Sequence, residues 1–185
     1  MTNAPAQSLL TADELLALPE NGCQYELVQG RLVAMSPSSS RPAIVGGNVH
    51  AEINVFVKQH RLGICGGADW GFRLFTDPDT VRAPDCAFVR GERVPTTGVP
   101  DGFWPGAPDL AVEVLSPSNR PGEMFANVED YLNAGTRLVW LIDPEAREAH
   151  VFRPDRSPTR VGEHGALSGE DVLPGFTLNL AEIWM

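Results

Sequence analysis

The sequence predicts an α/β fold of the mixed-sheet, α+β kind, and three observations lead there. Apolar residues recur at 45, 49, 53, 56 and 57, the spacing of a helix that buries one face. Short apolar runs at 85–90, 110–115 and 138–142 are too short for helices and suit strands. Between the last two runs, residues 123–134 again carry helical spacing. A strand, a helix and a second strand in that order require a crossover, which makes the two strands parallel. The earlier strands need no crossover and are expected to form an antiparallel meander.

Residues 1–10 read as a loose tail and residues 11–185 as one domain. Thr11-Ala12-Asp13-Glu14 is a capping box, so a short helix is expected over about 12–18, stopped by Pro19. Residues 25–29 and 31–35 flank a Gln29-Gly30 turn and read as a hairpin. Residues 36–42, rich in Ser and Pro, read as a loop. The long helix follows over 43–61, with Gly63 as its stop. Strands are expected at 70–75, 85–90 and 110–115, and a Gly- and Pro-rich loop over 91–108. The second long helix, 123–134, ends at Gly135, and the wholly apolar run 138–142 is expected to be a buried strand. Residues 150–153 add a strand, and 177–180 precede a terminal turn.

A chain of 185 residues can bury a core without disulfides or a structural metal. Its 43% hydrophobic and 21% charged residues are those of a globular protein rather than a disordered one. No apolar run approaches the ~20 residues that cross a bilayer. The first residues lack the basic start and apolar stretch of a secretory leader, so a cytoplasmic protein is expected. Cys23, Cys65 and Cys86 are odd in number and lack CxxC spacing, which argues against a disulfide framework or a zinc site. They read as small buried hydrophobes. The net charge of −10 makes a poor non-specific DNA binder, because phosphate affinity comes from released counterions. A local arginine patch or a metal site can overcome that balance. Lys58 is the only lysine.

The sharpest anomaly is Glu113, a carboxylate inside Leu110-Ala111-Val112-Glu113-Val114-Leu115. A charge in mid-strand among aliphatic residues is costly unless it is paired or metal-bound. Asp85 follows Arg82-Ala83-Pro84 at the start of another strand. Two carboxylates on adjacent strands suit a hard cation such as Mg²⁺ or Mn²⁺, which takes oxygen ligands and keeps several waters. Such an ion activates water and shields phosphate charge. The alternative is an ion pair from Glu113 to Arg73 or Arg82. Asp109 has the same strand parity as Glu113, but four residues along a strand is roughly 13 Å, too far to share one ion. It reads as a strand-start residue or as support. Ser116-Pro117-Ser118 lacks the GxSxG of a nucleophile elbow. Gly46-Gly47 and Gly66-Gly67 lack the strand-loop-helix context of a phosphate cradle. Trp104 is either a core anchor or a partner contact.

Several ordered motifs together resemble a known family. They are Tyr25-Glu26-Leu27-Val28-Gln29-Gly30-Arg31-Leu32, Arg82-Ala83-Pro84-Asp85, and Ala107-Pro108-Asp109 running on through Glu113 to Ser116-Pro117-Ser118. Tyr131-Leu132-Asn133-Ala134-Gly135 and Trp140-Leu141-Ile142-Asp143-Pro144 continue the match. The set resembles the bacterial restriction endonuclease domain family of the PD-(D/E)xK nuclease superfamily, over residues ~11–180. The resemblance implies a restriction endonuclease-like core, with antiparallel strands followed by a helix crossover to a parallel strand. It implies an Mg²⁺-dependent endonuclease that hydrolyses DNA phosphodiester bonds. It assigns Asp85 as the motif's aspartate and Glu113 as the second acid, with the carbonyl of Val114 as a further ligand. Glu26 is either a third carboxylate of the site or a hairpin-surface charge. DNA as substrate and a homodimer are implied as well, since cutting both strands generally takes two active sites.

The match breaks at the lysine. The superfamily places one two residues after the second acid to orient water and stabilise developing negative charge, and here Leu115 stands there. In the resembled family the lysine moves to the next helix, four residues before the tyrosine, a position held here by Asn127. Relatives often carry a histidine before the long helix; this chain has Arg41-Pro42, and His50 further on reads as packing or surface. Arg41 and Arg120 are the candidate replacement cations. A catalytically degenerate protein kept for binding or regulation is therefore the second expectation. Hydrolysis of a small phosphate ester is the third.

Overall fold

The structure, a computed structural model, describes residues 9–19, 22–117 and 121–184. The expected N-terminal tail falls mainly on residues 1–8, outside the described residues, but Leu10 is already tied in by its amide to the Gly30 carbonyl. Helix α1 (Ala12–Leu16) opens on the expected capping box: the Thr11 side chain accepts from the Glu14 amide, and the Glu14 carboxylate accepts from the Thr11 amide. Strands β1 (Gln24–Val28) and β2 (Arg31–Met35) form the expected hairpin. Gln29 and Gly30 take φ of 49° and 74°, as a tight two-residue hairpin turn demands.

The long helix α2 (Ser40–His60) is followed by β3 (Gly63–Gly67), β4 (Phe72–Phe75), β5 (Thr80–Arg82) and β6 (Cys86–Arg90). Next come the short β7 (Trp104–Pro105), β8 (Leu110–Val114), helix α3 (Pro121–Asn133) and β9 (Leu138–Asp143). The chain closes with β10 (Glu148–Arg153), β11 (Arg156–Val161) and the pair β12 (Ala166–Ser168) and β13 (Thr177–Asn179). Two larger sheets result. One has the order β2-β1-β5-β4-β7 and the other β11-β10-β9-β8-β6-β3. In the second sheet only β8 and β9 run parallel, joined by α3 as the crossover argument requires.

Alternation on the central strands explains why both faces of this sheet are covered. Cys86, Phe88, Leu110, Val112, Trp140 and Ile142 pack on one face against Val45, Val49, Ile53 and Val57 of α2. The intervening residues Ala87, Val89, Ala111, Val139 and Leu141 pack on the other against Met124, Val128 and Tyr131 of α3. Glu113 has the parity of Ala111, so its side chain belongs to the α3 face.

Four expectations need correction. The strand near residue 70 starts at Phe72 and joins the hairpin's sheet, so it forms no meander with β6; β3, unforeseen, takes that place beside β6. Residues 40–42 are the first turn of α2 rather than loop, because a proline there loses no helical hydrogen bond. Arg61, not Gly63, is the left-handed residue that ends α2, with φ 54°. Trp104 is 2% exposed and packs edge-on to Trp70, so it is a core anchor and not a partner contact.

Candidate active site

The segment Arg82-Ala83-Pro84-Asp85 is where the chain leaves one sheet and enters the other: β5 ends at Arg82 and β6 begins at Cys86. This crossing builds the site. Leu27 of β1 pairs with Val81 of β5, and the antiparallel register carried on by one residue puts Glu26 beside Arg82. Cys86 of β6 pairs with Val112 of β8, and the same step puts Asp85 opposite Glu113. Three acids distant in sequence meet for reasons of register alone.

Each is held in a definite way. Glu26 is 2% exposed, so it is no hairpin-surface charge. Its Oε2 accepts from the Arg82 guanidinium at 2.7 Å and its Oε1 from the Ala83 amide at 2.9 Å. Arg82 also donates from Nε and Nη2 to Asp130 Oδ2 on α3, at 3.0 and 2.7 Å. Asp85 Oδ2 accepts from the Val114 amide at 2.7 Å. Gly46 of α2 faces it, with room for only a methyl: a Cβ there would lie 3.8 Å from the Asp85 Cβ. Glu113 Oε1 accepts from the Tyr131 hydroxyl at 2.9 Å. The ion-pair alternative for Glu113 is not realised, since Arg73 goes to Asp79 and Arg82 to Glu26 and Asp130.

The electrostatics are unbalanced. Burial pushes the Asp85 carboxyl up from its ordinary pKa; the Val114 amide opposes the rise and the charge of Glu26 adds to it. Burial pushes Glu113 well up, and Asp85 and Glu26 push it further than Tyr131 and Arg82 restrain it. Among the described residues, the guanidinium that these acids engage is that of Arg82, which pairs with Glu26 and Asp130 and leaves Asp85 and Glu113 without an ion pair. A cleft of about 330 Å³ opens onto Glu26, Arg82 and Asp85, bordered by Gln24, Met35 and Phe103. Glu113 is buried and is not part of that lining.

Other candidates fall elsewhere or play other parts. Asn127 is buried on α3, one turn before Tyr131 and so on the same face. Lys58 is exposed in the last turn of α2. It stands twelve residues, about 18 Å of helix, beyond Gly46. Asp109 sits at the opposite end of β8, where it accepts from the Arg90 amide and from Arg93, both at 2.9 Å. Arg41 lines a separate cavity with Pro144, Glu145, Arg147 and Trp184. His50 is half-buried on α2. Arg120 lies outside the described residues. From the sequence alone Arg82 is a possible partner of Glu113, and Tyr131 and Asp130 receive no site role. The signal was available: Tyr131 stands one helical turn after the position assigned to the missing lysine.

The family model of Uma2, described as "Putative restriction endonuclease", matches residues 12–181, and the chain belongs to that family. Among solved structures the chain is similar to one from Anabaena variabilis ATCC 29413, described as a "putative nuclease belonging to DUF820". The two share 24% identity over 95% of this chain and 97% of that one, with a TM-score of 0.83. That likeness establishes the fold. No curated protein matches the chain.

Proposed function

We propose that the protein is a divalent-metal-dependent phosphodiesterase acting on DNA, with Asp85 and Glu113 as the metal ligands. The observation that carries this reading is the convergence of Glu26, Asp85 and Glu113 in a buried site, where the charge of Glu26 raises the pKa of Asp85 and both raise that of Glu113. Among the described residues no three His, Cys, Asp or Glu side chains are gathered tightly enough to hold an ion by themselves. The donor set is therefore two carboxylates completed by the Val114 carbonyl and water, which suits Mg²⁺ or Mn²⁺, ions that commonly keep several waters. Among the described residues, Asp85 and Glu113 each engage one oxygen in a hydrogen bond, and the other is assigned to the ion. When bound, the ion supplies activation of water and shielding of phosphate charge. Glu26, fixed by Arg82 and the Ala83 amide, faces the cleft and orients water there. No helix among the described residues is long and apolar enough to cross a membrane. By analogy with two-strand cutting, the working form is a homodimer. Calorimetry with Mg²⁺ and Mn²⁺ on the natural protein, Asp85→Ala and Glu113→Ala tests the site. Binding is expected in the first and loss in both variants; equal binding in all three would remove the assignment.

A second reading is favoured by one observation: an uncharged Asn127 occupies the face of α3 that points to the acids, and the sole lysine is far along α2. On this reading the protein binds metal and a partner but does not cut. Asn127→Lys separates the two. Metal-dependent DNA cleavage confined to the lysine variant marks the natural chain as a silenced nuclease, whereas cleavage by both marks an active one.

A further inference from the structure

We propose that Tyr131 is a positioning residue that orients Glu113 for the metal, an assignment that rests on reading Asp85 and Glu113 as ligands. Tyr131 is 0% exposed, and its hydroxyl is the donor that reaches Glu113 among the described residues. Tyr131 belongs to the buried cluster that holds Met124, Val128, Val139 and Leu141, an apolar setting that suits a phenylalanine as well. A phenol buried there bears the desolvation of its hydroxyl and needs a polar partner. The partner it has is the one acid in β8. A glutamate side chain has three rotatable bonds, and the hydroxyl removes that freedom by fixing Oε1 and leaving Oε2 for the ion. The anchor is itself held: the preceding residue, Asp130, is bound by Arg82, which also holds Glu26. Two successive residues of α3 thus tie the helix to the acids, one through a cation and one through a neutral donor. Hydrogen-bond partners that orient metal ligands are known to matter nearly as much as the ligands themselves.

The test compares the full-length natural protein with Tyr131→Phe in Mn²⁺ titrations. The variant is expected to bind roughly tenfold more weakly or worse, because it keeps the ring and loses only the orienting donor. A second readout leaves Tyr131 in place. The chain has two tyrosines. Mg²⁺, which has no absorption of its own, is expected to shift a near-ultraviolet tyrosine band in the natural protein and in Tyr25→Phe. A role in packing alone moves neither quantity. Unchanged Mn²⁺ affinity in a folded Tyr131→Phe overturns the proposal. So does metal binding that leaves the Tyr131 band unmoved. Absence of Mn²⁺ binding in the natural protein is a different result: it overturns the ligand assignment, and the positioning role falls with it.

Discussion

At the scale of single residues, the site holds acids that ionise at a cost. Asp85 and Glu113 both have folded pKa values above their ordinary ones, so the folded state takes up protons that the unfolded chain has released. The stability this confers is full below the ordinary carboxylate pKa of about 4.3 and is lost as pH climbs through the raised folded values. In chelator-treated protein the melting temperature is therefore expected to fall as pH rises through that window, and Glu113→Gln should flatten the fall. A slope unchanged in Glu113→Gln would show that the pH dependence lies elsewhere. Asp79 works in the other direction. Burial opposes it, but the Ala12 amide and Arg73 hold its carboxyl below the usual value, so its contribution is lost only at more acid pH. Glu113 was legible in the sequence because a charge inside an aliphatic run stands out without any structure. The partners that hold it were not, because which arginine or hydroxyl reaches a strand depends on which strand and helix lie beside it.

At the scale of elements, glycine separates what helix and strand demand. Gly47 lies in mid-α2, exposed, with nothing near the place a Cβ would occupy. Gly47→Ala is expected to raise stability by about 0.5–1 kcal/mol in denaturant unfolding, since alanine restricts the unfolded chain and favours the helix. Gly63 is the opposite case. Its φ is +155°, and a Cβ would meet the Val89 carbonyl oxygen at 2.1 Å. Gly63→Ala is expected to cost about 1–3 kcal/mol by forcing β3 away from β6. The same contrast accounts for what the sequence showed and hid. Periodic apolar residues made both long helices and the strands β6, β8 and β9 readable. Strand β3, Gly63-Ile64-Cys65-Gly66-Gly67, carries almost no strand propensity and exists because β6 offers it a ladder. Arg61 ends α2 in a conformation that its own chemistry does not favour, so nothing local announced it.

At the scale of the whole molecule, Arg82 adds a polar tie between parts that also share a buried apolar cluster. It ends a strand of one sheet, binds Glu26 of that sheet, and reaches Asp130 on the helix that covers the other. Its side chain and that of Glu26 are 7% and 3% exposed, so neither charge has water to fall back on. Arg82→Met leaves Glu26 buried and unpaired, and is expected to cost about 3–5 kcal/mol in chemical unfolding. Arg82→Met with Glu26→Met should recover most of that loss, because the orphaned charge goes too. A single variant as stable as the natural protein would show that the pair does not hold the sheets together. The frame around the acids is thus maintained in full, while position 127, buried on α3 beside it, is neutral. In the genetic code asparagine and lysine codons differ only in the third base. If the proposed site needs a lysine at position 127, that charge is one base substitution away, and a population carrying the gene samples the Asn127→Lys form without passing through any intermediate protein. A random library of the gene, screened for clones that damage the host chromosome, is where that form would first be found.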